Sequence, residues 1–392
     1  MFTRSQDPAI PRVSHRLGNR TRVVHLPAGP QRPYNKNKIY DHLDEFVTGI
    51  LAFAHADGIR YDVLHSHYWL SGLAAEPLRQ VWGAPIVHMF HTLARLKNEV
   101  AQSPAELEPE QRAICEGEIM RFVDRVVAAT TLEREQMQRS YGANPANIVV
   151  VPPGVDLDLF RPLRCEDARA SLGLPPDRHI ILFVGRIQPI KGIDSLIMAM
   201  AQVIARRPAL RSRISLSIIG GAGDPSADSE LSRLQALRES LGIGDLVTFL
   251  GSRDQDTLVN YYNAASVVVV PSYYESFGMV ALEAMACGTP VIASDVGGLS
   301  LNIADGYNGY LVPQGDVDEL AYKLGLLLDH PELRRQLGRQ AAQWAQRFSW
   351  QAIADETLHI YADALGRPQA DVAPLMAPRL DAPRQSEERE CP

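Results

Sequence analysis

Short apolar runs alternate with longer amphipathic segments along most of this chain. Most runs are bounded by Gly, Pro or Asp, as is typical of strands buried in a parallel sheet, and the segments between them carry apolar residues at helical spacing. The alternation is interrupted by a stretch containing Pro152, Pro153 and Pro162, which we interpret as a stiff connection between two halves. The pattern predicts an α/β fold of two doubly wound, Rossmann-like parallel sheets.

The predicted elements divide the chain into four parts. In the first half we expect strands at 23–26, 61–65, 85–90, 125–129 and 147–151, and helices at 40–55, 109–122, 132–141 and one ending near 81. In the second half we expect strands at 180–184, 214–219, 247–250, 266–270, 291–294 and 310–312. The predicted domains are 1–160 and 161–346, followed by a helix over 347–366 that returns toward the first domain and a disordered, Pro-rich tail over 367–392.

Composition and charge restrict the classes of partner. The 392 residues are 46% hydrophobic and 22% charged, and the formal net charge of −7 argues against non-specific binding to nucleic acid or to an anionic membrane. No apolar window has the length of a membrane span and no signal peptide is recognisable, so we predict a cytoplasmic protein with small-molecule partners. The oligomeric state is left open, with a homodimer as one option. Neither a disulfide framework nor a zinc cluster is indicated by the widely spaced cysteines, which are Cys115, Cys165, Cys287 and Cys391.

The residues that follow each strand are the candidate ligand-binding residues, because ligands of open parallel sheets bind outside the carboxyl ends of the strands. After strand 266–270, Glu275 lies in a loop and Glu283 on a helix predicted over 276–287, two turns from its start. The helix N-terminus would suit a phosphate, and Glu283 could accept hydrogen bonds from two ribose hydroxyls. The plainer alternative is that the two glutamates have no shared role.

A second loop, 185–192, carries Arg186 and Lys191 beside a helix expected to begin at Gly192. These two cations would suit a diphosphate, although the usual fate of such residues is simple solvation. The glycine-rich run 220–223 is a weak phosphate-loop signal, since no Lys-Ser or Lys-Thr pair follows it. Hydride transfer and ATP hydrolysis are therefore poorly supported.

Histidines and cations collect at strand ends of the first half. A metal site is one interpretation of the histidines, but no Cys or carboxylate lies at ligand spacing, so we predict no metal and no resident cofactor. A hydrogen-bonded structural role is expected for His65 or His67, which point to one face of their strand, whereas His91 is expected to face a cleft. The cations indicate an anionic acceptor, unless they are a solvated surface. The residues concerned are His65, His67, His88 and His91, and Lys36, Lys38, Arg95, Lys97 and Arg112.

Together these motifs resemble the retaining glycosyltransferases of family 4, which have the GT-B fold with the active site in the cleft between two Rossmann-like domains. The resemblance covers about residues 1–365, and its most specific parts are 275–278 with Glu283, 185–192, and 151–156. Segments 65–72 and 91–98 are similar to the mycothiol-pathway enzymes that join N-acetylglucosamine to inositol 3-phosphate, and to bacterial sucrose-phosphate synthases.

The resemblance implies a hexosyltransferase that moves a sugar from a nucleotide-diphosphate sugar, expected to be a UDP-sugar, to a phosphorylated polyol or sugar. It implies that Arg186 and Lys191 hold the diphosphate and stabilise the leaving group, and that Glu275 and His91 contact the donor sugar; these four are the predicted catalytic residues. It also implies that Glu283 binds the ribose and that Arg253 lies by the base. The donor phosphates would be bound by the backbone of Phe277, Gly278, Met279 and Val280. The acceptor phosphate would be bound by Lys36, Tyr68, Thr92 and Arg112.

The chain departs from the family at its start. The family begins with a strand, a Gly-Gly loop and a long helix, whereas residues 1–3 look like the end of a strand followed by a polar loop. We expect that the natural start lies upstream of Met1. One alternative is an inert nucleotide-sugar-binding protein, and another is sugar phosphorolysis or epimerisation on the same fold.

Overall fold

The computed structural model describes residues 1–18, 20–101, 103–221 and 225–366. Of these, Met1–Val151 and the residues from Thr357 onward form one compact unit, and Pro152–Glu356 form a second. The predicted tail over 367–392 lies outside the described residues. None of the described helices combines the length and the hydropathy needed to cross a membrane.

The first unit contains two small sheets rather than the single parallel sheet that was predicted. Its strands are β1 (Phe2–Arg4), β2 (Val13–Ser14), β3 (Val23–Leu26), β4 (Leu64–His67), β5 (Ile86–Met89), β6 (Arg125–Ala128) and β7 (Ile148–Val150). β4 to β7 form a parallel sheet in chain order, and β1 pairs in parallel with β3. β2 is antiparallel to β3. β4 also lies further along the chain than predicted.

Helices of the first unit pack their apolar faces on these sheets. They are α1 (Leu43–Ala56), α2 (Trp69–Trp82), α3 (Ala94–Glu99), α4 (Glu110–Phe122) and α5 (Thr131–Tyr141), with a 3-10 helix at Lys36–His42. Phe53 of α1 shares a core with Leu26 of β3 and Trp82 of α2. α3 was not predicted, since its sequence is polar apart from Ala94 and Leu96, which it buries.

The second unit has one six-stranded parallel sheet, as predicted. Its strands are β8 (His179–Val184), β9 (Ile214–Ile219), β10 (Val247–Gly251), β11 (Val267–Val270), β12 (Val291–Ser294) and β13 (Tyr310–Val312). The spatial order is β10-β9-β8-β11-β12-β13. The chain therefore builds outward from β8 in one direction and from β11 in the other. Such a switch point leaves a crevice at the carboxyl ends of the two central strands.

Both faces of this sheet are covered by helices. These are α6 (Cys165–Ser171), α7 (Ile193–Arg206), α8 (Pro225–Ser240), α9 (Gln255–Ala264), α10 (Met279–Ala286), α11 (Leu299–Asn302), α12 (Val317–Asp329) and α13 (Pro331–Ala345). The last helix, α14 (Trp350–Ala364), begins in the second unit and belongs to the first from Thr357 onward. Leu196 of α7 and Leu324 of α12 are fully buried in a core with Ile181 and Leu216. α7 begins just after Gly192, as predicted.

Candidate active site

The loops that follow β8 and β11 meet at the switch point of the second unit. Lys191 Nζ lies 2.6 Å from Glu275 Oε2, and both side chains are mostly buried. Gly192 permits the approach: it has a φ of +65°, and a Cβ there would lie 2.0 Å from the carbonyl oxygen of Pro271. Two loops that were expected to open on the same edge therefore form one continuous surface.

Groups suited to an anion are exposed on the same two loops. Arg186 is exposed, and its guanidinium has no hydrogen bond to any described residue. α10 begins after Gly278, whose φ is +93°, and no side chain caps it. The N–H groups of its first turn, including those of Met279 and Val280, have no partner within the helix. A phosphate could accept hydrogen bonds from them.

Glu283 lies about one turn into α10 rather than two, because the helix begins at Met279 and not at residue 276. Its Oε2 accepts a hydrogen bond from Tyr262 Oη at 2.7 Å, and Tyr262 is fully buried. Burial raises the pKa of Glu283, and the hydrogen bond from Tyr262 partly opposes the effect. Tyr262 therefore fixes the carboxylate, a role that the sequence pattern did not indicate.

Arg253 stands apart from the other predicted donor contacts. It follows β10, the edge strand, which β9 separates from β8. Its side chain is exposed, and Nη1 donates to the carbonyl oxygen of Ser252 at 2.9 Å. Contact of Arg253 with a base stays a prediction.

A glycine pair after β12 supports the Glu275 loop, and sequence reasoning missed it. Gly298 N donates to the carbonyl oxygen of Glu275 at 3.0 Å. A Cβ on Gly297, whose φ is +51°, would lie 1.8 Å from the same oxygen. Asn302 adds a hydrogen bond of 2.7 Å to the carbonyl oxygen of Phe277. Two consecutive glycines directly after a strand end were the available signal.

The first unit gathers four histidines around the ends of β4 and β5. His67 Nδ1 lies 2.9 Å from His91 Nε2, and the rings of His65 and His67 stack with centroids 4.3 Å apart. His65 Nδ1 lies 2.6 Å from Tyr361 Oη, which is the hydrogen-bonded role expected for His65 or His67. His88 is buried and shares a hydrogen bond of 2.7 Å with Ser66 Oγ. Across the described residues, no group of three or more His, Cys, Asp and Glu is arranged to hold a metal ion.

Two residues next to this cluster have strained backbone. Tyr68 and His91, with φ of 71° and 64°, are the only non-glycine residues of the described ranges with positive φ. Such conformations cost roughly 1–3 kcal/mol and are often found at functional sites. Burial is the main cause that lowers the pKa of His91, and the charge of His67 adds to the effect. His91 is therefore neutral at pH 7 and can act through hydrogen bonds.

Arg112 connects the residues predicted to bind the acceptor phosphate. Its side chain is buried, and Nη2 donates to the carbonyl oxygen and to Oγ1 of Thr92, at 2.8 and 3.0 Å. Its guanidinium carbon lies 4.9 Å from the ring centroid of Tyr68. Lys36 joins the group through Glu108, whose Oε1 lies 2.6 Å from Lys36 Nζ. The structure therefore brings all four residues together.

Two buried carboxylates complete this group, and neither was predicted. Glu108 contacts Lys36, Lys97 and Arg112. Glu116 accepts hydrogen bonds from Arg112 Nε at 2.7 Å and Tyr141 Oη at 2.5 Å. Both glutamates lie four positions from Arg112 along the chain, a spacing that could have indicated them.

The comparisons with known proteins agree over most of the chain. Residues 1–154 match the description "Glycosyl transferase 4-like domain" and residues 165–344 match "Glycosyl transferases group 1". D-inositol 3-phosphate glycosyltransferase 2 of Catenulispora acidiphila is 41% identical over 93% of this chain and 85% of its own length.

Solved structures show the same likeness. Sucrose-phosphate synthase (tll1590) of Thermosynechococcus elongatus has 37% identity and a TM-score of 0.85, covering 93% of this chain and 88% of its own. Anabaena Alr3699/HepE, solved in complex with UDP and glucose, has 22% identity and a TM-score of 0.73 over 87% of this chain and 86% of its own. Because only 22% of the residues are identical, the similarity to Alr3699/HepE supports the fold alone.

Proposed function

Because this chain belongs to the group 1 glycosyltransferases and has their GT-B fold with a family 4-like first domain, we propose that it moves a sugar from a UDP-sugar to a phosphorylated polyol or sugar, with retained anomeric configuration. The cluster of Lys36, Thr92 and Arg112 in the first unit is the observation that carries the acceptor part of this proposal.

The donor half of the proposal depends on the second unit. Lys191, Arg186 and the uncapped start of α10 offer positive charge and N–H groups to a diphosphate. Glu283 accepts from the ribose hydroxyls through the oxygen that Tyr262 leaves unbonded. Glu275, held by Lys191, accepts hydrogen bonds from sugar hydroxyls. UDP is proposed as the nucleotide from the resemblance of these motifs.

The acceptor half depends on the first unit. A phosphate monoester is a dianion that binds well where a guanidinium, an ammonium and a hydroxyl converge. Arg112, Lys36 and Thr92 supply these three groups. The names of the similar proteins point the same way, since one refers to inositol 3-phosphate and another to sucrose phosphate.

Catalysis in this proposal is positioning together with stabilisation of the departing nucleotide. As the sugar–phosphate bond breaks, negative charge grows on the diphosphate, where Arg186 and Lys191 neutralise it. The acceptor hydroxyl then attacks the face that the diphosphate leaves and gives its proton to the departing diphosphate, and the configuration is retained. His91, being neutral, donates or accepts a hydrogen bond at the sugar. No covalent enzyme intermediate is required.

A substrate panel tests the proposal. The chain is incubated with UDP-, GDP- and ADP-sugars in combination with inositol phosphate, fructose 6-phosphate and their unphosphorylated forms, and products are identified by NMR. We expect a glycoside of the phosphorylated acceptor, formed from a UDP-sugar with unchanged anomeric configuration. Preference for a neutral acceptor would refute the phosphate part. Product formation that consumes free phosphate would favour phosphorolysis, and a complete lack of turnover would favour the inert alternative, which the comparisons do not support.

A further inference from the structure

Glu108 occupies the middle of the cation cluster in the first unit. Its side chain is 3% exposed, its Oε1 lies 2.6 Å from Lys36 Nζ and also pairs with Lys97, and its Oε2 lies 3.1 Å from Arg112 Nη1. Desolvation would raise the pKa of Glu108, but the hydrogen bonds from the two lysines and the charge of Arg112 outweigh it and lower the pKa to about 2. The carboxylate is therefore charged at any physiological pH.

The backbone of Glu108 is fixed in place. Its N–H donates to Asn98 Oδ1 at 2.7 Å, and its carbonyl oxygen accepts from Asn98 Nδ2 at 3.1 Å. With both backbone groups bonded to one side chain, Glu108 cannot withdraw without breaking two hydrogen bonds. These bonds hold the backbone of Glu108 beside the three cations.

The formal charges of the cluster indicate the effect of the Glu108 carboxylate. Lys36, Lys97 and Arg112 contribute three formal positive charges, and Glu108 with Glu116 removes two, which leaves one. Without Glu108 the same site would carry two positive charges and would attract any polyanion more strongly. Glu108 repels a phosphate rather than binding it, so its charge limits the affinity of the cluster for anions.

We propose that Glu108 is a positioning residue of the acceptor site: it gathers Lys36 and Lys97 beside Arg112 and at the same time halves the net charge of the cluster, so that phosphate monoesters bind reversibly. This inference rests on the proposed function, because it takes the cluster as the phosphate site. It adds that anion affinity is held below what the cations alone would give.

Two substitutions that break the same ion pair separate a charge role from a structural one. Glu108→Gln removes a negative charge and keeps an oxygen that can accept from Lys36, whereas Lys97→Met removes a positive charge. Binding of inorganic phosphate is measured by titration calorimetry. We expect about tenfold tighter binding for Glu108→Gln and about tenfold weaker binding for Lys97→Met. If the ion pair had only a structural role, its loss would weaken phosphate binding in both variants.

Two controls complete the test. Glu332→Gln, an exposed carboxylate of α13 in the second unit, changes the protein's net charge by the same amount and should leave phosphate binding unchanged. The double variant Glu108→Gln/Lys97→Met has the wild-type charge and leaves Lys36 with the amide oxygen as its acceptor, so it should bind within about threefold of wild type even if Glu108→Gln alone folds poorly.

The outcomes distinguish this inference from the proposed function. Wild type that binds phosphate, with Glu108→Gln binding equally or more weakly, overturns the inference and leaves the proposed acceptor class intact. A double variant that binds far more weakly than wild type also overturns it. Lack of phosphate binding in both wild type and Glu108→Gln overturns the phosphate site itself. In the kinetic assay, Glu108→Gln should lower the KM for the phosphorylated acceptor without raising kcat.

Discussion

Lys191 and Glu275, which belong to loops 84 positions apart, form an ion pair of 2.6 Å at the switch point of the second unit. A residue expected to neutralise the diphosphate thus also orients a residue expected to bind the sugar. The pair is mostly withdrawn from solvent, with 17% and 19% of the side chains exposed, so water screens it less than an exposed ion pair.

Lys191→Ala should mainly slow transfer. The ammonium stabilises charge that develops only as the diphosphate departs, and losing such a group typically costs about 10²–10³ in kcat. Glu275→Gln, which keeps an acceptor for Lys191, should instead raise the KM for the donor with a smaller loss of kcat. Steady-state kinetics with varied donor measure both constants. Equal effects of the two substitutions on kcat would contradict the division of roles.

Glu283→Ala should weaken donor binding, and Tyr262→Phe should do so to a lesser degree. Phe keeps the buried ring but removes the hydrogen bond to Glu283, so the carboxylate loses its orientation and its pKa rises further. We expect a loss of about 1 kcal/mol in stability for Tyr262→Phe and a few-fold weaker binding. Calorimetric titration with the donor and thermal unfolding provide the readouts. Unchanged donor affinity in Glu283→Ala would refute the ribose assignment.

Thr92→Val should raise the KM for the acceptor with little effect on folding. The hydroxyl is lost, but Arg112 keeps its hydrogen bond to the Thr92 carbonyl oxygen and its pair with Glu116. Arg112→Ala, by contrast, leaves Glu116 and Glu108 buried without this cation and should cost about 3–5 kcal/mol. Urea unfolding followed by kinetics separates the two cases. A Thr92→Val variant with wild-type acceptor KM would argue against the phosphate contact.

The first unit should lose stability on mild acidification through its histidines. Desolvation, with repulsion from His67 and His91, lowers the pKa of His65 from 6.5 to about 4. The unfolded chain therefore binds more protons than the folded chain between these values, so stability falls as pH falls through that window. Hydrogen exchange of β4 and β5, corrected for intrinsic rates, should show reduced protection at pH 5 relative to pH 7. His65→Gln should make this dependence shallower.

Glu133 should oppose the histidines in the same unit. Burial raises the pKa of Glu133 to about 7, with only the hydrogen bond from Ala129 N against it. Below that pH the folded state holds a proton that the unfolded state releases, down to about 4.5, so acidification through this range adds stability. Glu133→Gln removes this contribution and should steepen the loss of protection between pH 7 and 5. An unchanged slope would show that Glu133 titrates normally.

The sheet of the second unit could be predicted because its strands are uniform apolar runs with clear punctuation. β11, four consecutive valines, and β9 left little choice of element. The rule that ligands collect at strand ends then located Arg186, Lys191 and Glu275. The start of α10 was predicted too early, because Gly278 adopts a left-handed conformation that ends the loop just before Met279.

What could not be predicted depends on contacts distant in sequence. Tyr262 of α9 and Glu283 of α10 come together only when the chain folds, and nothing in the local sequence marks Tyr262 as the partner of Glu283. Glu108 lies in a polar stretch that reads as solvated surface, yet folding buries it among three cations. β2 has two residues, too few for a periodic signal.

The positive φ values of Tyr68 and His91 affect how this protein would respond to directed evolution. A glycine at either position would relieve roughly 1 kcal/mol of backbone strain and remove a side chain placed beside the histidine cluster. A library selected for heat resistance alone would therefore enrich substitutions that remove the side chains of Tyr68 and His91. Laboratory stabilisation should keep both codons fixed and search elsewhere.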